Sequence, residues 1–166
     1  MRTPKIVVNT NVLVAAALSI QSKRPNSPSL VLFSKMASRD VIAVASPQML
    51  YELAGKLSNP SFGLPSTFVI DLIKLLSDAV EMVSIRGLDM GCRDERDNIF
   101  TETAYNGRVD ALVTRDRDLQ DAQTRYDLAK RKCQVLNTSE LLALLRESLN
   151  EDEGTRATPV SNLDLC

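Results

Sequence analysis

Short runs of β-branched residues alternate along this chain with longer stretches in which apolar residues recur every three or four positions. The runs suit strands and the stretches suit amphipathic helices, so the order predicts a layered α/β domain on a mainly parallel sheet. Five strands are expected, at Ile6–Asn9, Val41–Ala45, Val80–Ile85, Ala111–Thr114 and Gln134–Leu136. Helices fall between them. One covers roughly Asn11–Ser19, and one roughly Ser29–Ser38 follows the polar loop QSKRPNSP. Ser46 is placed to cap a helix with Pro47 in its first turn and Met49, Leu50, Leu53, Ala54 and Leu57 as its apolar stripe. After the loop NPSFGLP, Ser66 is expected to cap a helix running to about Asp78.

The charged loop RGLDMGCRDERD leads into a helix from about Asp97 to Asn106, with Gly107 where a left-handed C-cap belongs. Asn137 and Glu140 form a capping box for a last helix that reaches about Asn150. Residues 1–150 therefore read as one domain, and the polar, aperiodic tail 151–166 as disordered.

Composition narrows the chemistry. Apolar content of 44% and charged content of 25% are ordinary for a soluble domain. No apolar stretch reaches the ~18–20 residues of a membrane span, and the N-terminus lacks the pattern of a signal peptide. Cys92, Cys133 and Cys166 are odd in number and lack C-x-x-C spacing. That argues against a disulfide framework or zinc cluster and for a reducing cytoplasm. The net charge of −1 says little about partners, because an acidic site and a basic surface cancel. The absence of histidine says more. It excludes Ser-His-Asp and Cys-His catalysis, His-ligated zinc and His-based acid–base nucleases. Hydrolytic chemistry here must run on carboxylates, with an oxygen-bound metal to offset their repulsion.

In an open parallel sheet, sites form beyond the carboxyl ends of the strands. The first strand ends at Asn9, an amide where a carboxylate is usual. The second leads into the helix that carries Glu52, and the loop after the third leads to Asp97. The fourth, ALVT, is followed by Asp116 and Asp118. Each acid also has a purely structural reading. Glu52 has Lys56 at i+4, an ordinary surface ion pair. Asp97 suits the dipole at a helix start. Asp116 and Asp118 suit the cap of a short helix, and Asp94 and Glu95 suit loop surface.

Taken in order, these segments resemble the PIN-domain ribonucleases, most nearly the VapC-like toxins of toxin–antitoxin pairs. The carrying motifs are VVNTNVLV, SPQMLYEL, DERDNIFTETAYNG and VDALVTRDRDL, and the resemblance spans about residues 5–145. It implies a three-layer α/β/α fold and a Mg²⁺- or Mn²⁺-dependent endoribonuclease. Carried over by position, the acidic quartet is Asn9, Glu52, Asp97 and Asp116, with Asp118 as a further metal ligand. Thr10 and Thr114 would orient the acids and Asn11 would brace the loop, while Glu102 points away from Asp97 on a helical wheel. RNA would approach over Lys23, Arg24, Arg93, Arg115 and Arg117. A cognate antitoxin and a homodimer are further implications. The amide at Asn9 brings no negative charge, so the resemblance also implies impaired activity. An alternative is an inert scaffold that binds RNA or an antitoxin. A haloacid-dehalogenase-like phosphotransferase would need an aspartate nucleophile at position 9, which Asn9 removes.

Overall fold

The computed structural model describes residues 2–116, 119 and 127–156, with 153–156 described by their backbone alone. Arg117, Asp118 and the tail from residue 157 lie outside the described residues. Five strands, β1 (Lys5–Val8), β2 (Ile42–Ala45), β3 (Glu81–Met82), β4 (Ala111–Val113) and β5 (Gln134–Leu136), form one sheet in the order β3-β2-β1-β4-β5. Every pairing is parallel.

Among the described residues the helices are α1 (Thr10–Gln21), α2 (Pro28–Ala37), α3 (Pro47–Leu57), α4 (Ser66–Ala79), α5 (Asn98–Gly107) and α6 (Thr138–Arg156), and residues 127–129 are also helical. Two 3₁₀ turns add Pro60–Phe62 and Glu95–Asp97. Among the described residues no helix is long and apolar enough to cross a membrane.

The period of two along each strand divides the core into two faces. Ile6 and Val8 of β1 and Ala111 and Val113 of β4 pack with residues of α1 to α4 and α6. Val7 and Leu112, between them, face Phe100 and Ala104 of α5. The result is the expected three-layer α/β/α arrangement, with a sheet that is wholly parallel.

Several local expectations change. The run Val80–Ile85 pairs only at Glu81–Met82, both exposed on an edge strand. The Val83 N–H still donates to the Ala45 carbonyl at 2.9 Å, after which the chain leaves the sheet. Ser46 precedes α3, but its hydroxyl makes no capping bond and lies 2.9 Å from the Thr103 hydroxyl of α5. Ser66 is the first residue of α4, and Pro65 occupies the cap position without a side-chain bond. Gly107 is the last residue of α5, and Arg108 takes the left-handed position with φ of 50°. A Cβ on Gly107 would stand 2.6 Å from Val44 Cγ1, so the glycine is required by the close approach of α5 to β2. Finally, α6 passes Asn150 and continues to Arg156. The exposed Glu151 and Asp152 do not end it, and the backbone stays helical through Gly154 despite the low helix propensity of glycine.

Candidate functional site

The order β3-β2-β1-β4-β5 makes the direction of chain progression reverse between β1 and β4, the switch point at whose carboxyl edge open parallel sheets form a crevice. Asn9 stands at that edge. Its N–H donates to the Val113 carbonyl at 2.8 Å, holding the exits of β1 and β4 side by side. Its extended backbone (φ −63°, ψ 149°) makes it the N-cap of α1, and its Oδ1 accepts from the Asn11 N–H at 3.2 Å. Only an oxygen can accept that bond, so the amide orientation follows from it. The NH₂ end is buried and finds no hydrogen-bond partner among the described residues. The Asn11 backbone N–H, not its side chain, makes the bond to Asn9, and its own side-chain oxygen is buried without a hydrogen-bond partner among the described residues.

Thr10 reaches across to α3, donating its hydroxyl to Glu52 Oε2 at 2.9 Å. Lys56 Nζ lies 3.3 Å from Glu52 Oε1, so the ion pair expected from i+4 spacing coexists with the Thr10 contact. Asp97 closes the second 3₁₀ turn and is buried, 6% exposed. It stands before α5 but gives no side-chain bond to its first turn, so capping does not explain its burial. After β4, the Asp116 N–H donates to the buried Thr114 hydroxyl at 2.9 Å, which fixes the turn carrying that acid.

Asp97 and Asp116 both act, by charge, on a residue that the sequence motifs do not mark. The Arg96 guanidinium is held by Asp94, with Nη2 to Oδ2 at 2.7 Å. Asp94 raises the pKa of that guanidinium, and Asp97 and Asp116 add to the rise. In return, the Arg96 hydrogen bonds hold Asp94 below the usual carboxylate range. Two acids from separate segments thus share one field.

A second finding concerns Glu102, which turns away from Asp97 as the helical wheel requires but is only 1% exposed. Its Oε2 accepts from the Arg86 N–H at 2.7 Å, and its Oε1 from Gly87 and Leu88 at 2.8 and 2.7 Å. Burial pushes this carboxyl up, but the three N–H donors and the Arg86 charge outweigh it and hold the pKa low. Glu102 therefore anchors the loop that leads to Asp97. The sequence signal was an acid on a helix with no basic residue at i±4, only Asn98 and Asn106.

Among the described residues no three His, Cys, Asp or Glu side chains stand as a ready-made metal site. Asn9 has its one oxygen engaged and presents a donor where a cation needs an acceptor. Of the expected basic residues, Lys23 is exposed with a left-handed φ of 54°, and Arg93 is exposed in the loop before Asp94. Arg24 and Arg115 line one cleft.

Comparison with curated proteins and with solved structures yields no match. A family model described as a PIN domain matches residues 5–118, which takes in every strand from β1 to β4 and the segments bearing Asn9, Glu52, Asp97 and Asp116. The chain belongs to the PIN-domain family, whose members are generally metal-dependent nucleases.

Proposed function

We propose that this chain is a PIN-type endoribonuclease with Glu52, Asp97 and Asp116 as its acidic pocket, impaired by the amide at Asn9. The observation that carries this reading is the direction of that amide: oxygen to the α1 backbone, NH₂ buried and unpartnered. An aspartate there would cap α1 with one oxygen and place its second, charged oxygen where the orphaned donor now lies. The donor set would then suit Mg²⁺ or Mn²⁺, hard cations that take oxygen ligands. Such an ion supplies an activated water and neutralises charge on the phosphodiester. The chain itself contributes orientation: Thr10 aligns Glu52, and the Thr114 turn sets Asp116. Asp118 is proposed as a further ligand.

The order and spacing of the four motifs support a finer reading, a toxin of a type II toxin–antitoxin pair acting in the cytoplasm, with a cognate antitoxin and a homodimeric state. A small gene beside this one, encoding a protein that co-purifies with the chain and blocks cleavage, is the observation that tests it. The second reading is an inert scaffold that binds RNA or an antitoxin. It is favoured by Glu52, both of whose oxygens are already engaged.

Asn9→Asp separates the two. On the nuclease reading, Mn²⁺ titration followed by electron paramagnetic resonance shows binding by Asn9→Asp and much weaker binding by the present chain. RNA cleavage rises on the order of 10²-fold or more, the scale set by one misplaced catalytic group. A folded Asn9→Asp protein that neither binds Mn²⁺ nor cleaves RNA leaves the scaffold reading standing.

A further inference from the structure

We infer that Tyr51 is a stacking platform for an unpaired base of the RNA, beside Glu52, so that the substrate is single-stranded where it is cut. This inference rests on the ribonuclease reading above and adds to it a contact that carries no charge.

Tyr51 opens the second turn of α3 and directly precedes Glu52. It is 84% exposed, more than any other large apolar side chain among the described residues. Tyr105, the other exposed tyrosine in that set, has the Arg131 guanidinium 3.6 Å from its ring centroid, whereas nothing comparable lies over the Tyr51 ring. Met49, Leu53 and Leu57 bury the opposite face of the helix, so Tyr51 plays no part in the core. Side chains on a helix lean towards its amino end. The amino end of α3 follows β2 at the carboxyl edge of the sheet, so Tyr51 leans towards the edge that carries the acids.

The second observation is Gly55, one turn further on. At 3.6 residues per turn it lies about 40° around the helix from Tyr51, with Glu52 about 100° around in the same sense. A side chain at this position would lean back over the flank of the ring that faces Glu52. A Cβ on Gly55 would meet nothing within 4 Å, so no close approach requires the glycine, in contrast to Gly107. Its φ is not positive either, and glycine inside a helix weakens it. What Gly55 supplies is a bare shelf between the ring and the acid.

The surroundings select a base over a protein partner. Pro47, Gln48, Gly55 and Lys56 are all exposed, and they offer none of the successive apolar anchors that a docked helix uses. A single flat ring among small and polar residues suits the face of a base, and such stacking tolerates every base. A base within a duplex already has both faces covered, so only an unpaired one can lie here. With Glu52 as the next residue, the stacked nucleotide adjoins the cleaved bond.

The chain contains no tryptophan, so Tyr51→Trp places a single fluorophore on the platform. In EDTA, where binding is read without cleavage, a short single-stranded RNA should quench that fluorescence and an abasic strand of the same length should not. By fluorescence anisotropy with labelled RNA, Tyr51→Phe should keep its affinity. Tyr51→Ala and Tyr51→Leu should weaken it roughly tenfold. The salt dependence should keep its slope, because no phosphate contact is lost. Gly55→Gln should also weaken binding while the melting temperature holds or rises.

Unchanged RNA affinity in Tyr51→Ala overturns the inference, as does the absence of quenching by RNA or equal quenching by the abasic strand. A Tyr51→Ala protein whose oligomeric state changes on a sizing column while its RNA affinity holds would assign the ring to a protein contact, and also overturns it. Should Asn9→Asp fail to cleave while quenching and the Tyr51 dependence persist, the platform stands and only the nuclease reading falls. Should Asn9→Asp cleave with a KM that Tyr51→Ala leaves unchanged, the platform falls and the nuclease reading stands.

Discussion

The Thr10 hydroxyl donates to Glu52 Oε2 at 2.9 Å, joining the first turn of α1 to the second turn of α3 across the carboxyl edge of the sheet. Thr10 is 2% exposed, so valine, of nearly equal shape, removes the bond with little change in packing. Glu52 is then left to Lys56, which draws it along its own helix. In an Asn9→Asp background, Thr10→Val should lower kcat roughly tenfold, one lost hydrogen bond to a charged group, with KM little changed. Steady-state cleavage of a fluorogenic RNA checks this, and an unchanged kcat would show that Thr10 does not orient Glu52.

Asp97 and Asp116 both lie within the field of Arg96. In the Asn9→Asp background, Asp97→Asn or Asp116→Asn should abolish cleavage and sharply reduce Mn²⁺ affinity while the protein stays folded by circular dichroism. Cleavage retained by either double variant would remove that acid from the site.

Glu102 should behave in the opposite way. Glu102→Gln keeps the shape but turns one acceptor oxygen into a donor facing N–H groups, so destabilisation of about 3 kcal/mol is expected. The pH dependence has a definite sign. The folded-state pKa is depressed, so the stabilisation is present above the unfolded glutamate value of about 4.3 and is lost as pH falls towards the lower folded value. Urea unfolding across that window should show a steeper acid loss in the present chain than in Glu102→Gln.

Gly107 tests the contact between α5 and β2. Alanine favours a helix over glycine by about 1 kcal/mol, but its Cβ would meet Val44 Cγ1 at 2.6 Å. Overpacking at a stiff β-branched side chain costs about 1–3 kcal/mol. Gly107→Ala should therefore lower the melting temperature, and adding Val44→Ala should recover part of the loss. Independent, additive effects of the two substitutions would show that the contact is looser than it stands.

Much of the architecture was legible because it follows from local pattern. The unbroken apolar runs in KIVV and ALV located strands buried on both faces, and the stripe Met49, Leu53, Leu57 located α3. The switch from β1 to β4 then brings Asn9 against Val113 without further information. What local pattern could not show depends on where distant segments meet. Ser46 has the sequence context of a helix cap, yet Thr103 of α5 lies against its hydroxyl. Val80–Ile85 reads as a full strand, but pairing ends at Met82 and the chain turns into the loop held by Glu102. Arg96 gains its interest from a neighbour far off in sequence, Asp116.

The Glu102 cradle has a consequence for how mutagenesis of this molecule is to be interpreted. One helix, α5, has a buried acid at its threshold and, five residues later, another that holds a loop. A scan that neutralises every acid and scores only residual activity would return both as indispensable. Glu102 would be lost through collapse of the loop before Asp97, a failure that melts out at lower temperature, whereas Asp97 would be lost with the melting curve intact. Thermal denaturation of each inactive variant is therefore what separates scaffold from chemistry in this domain.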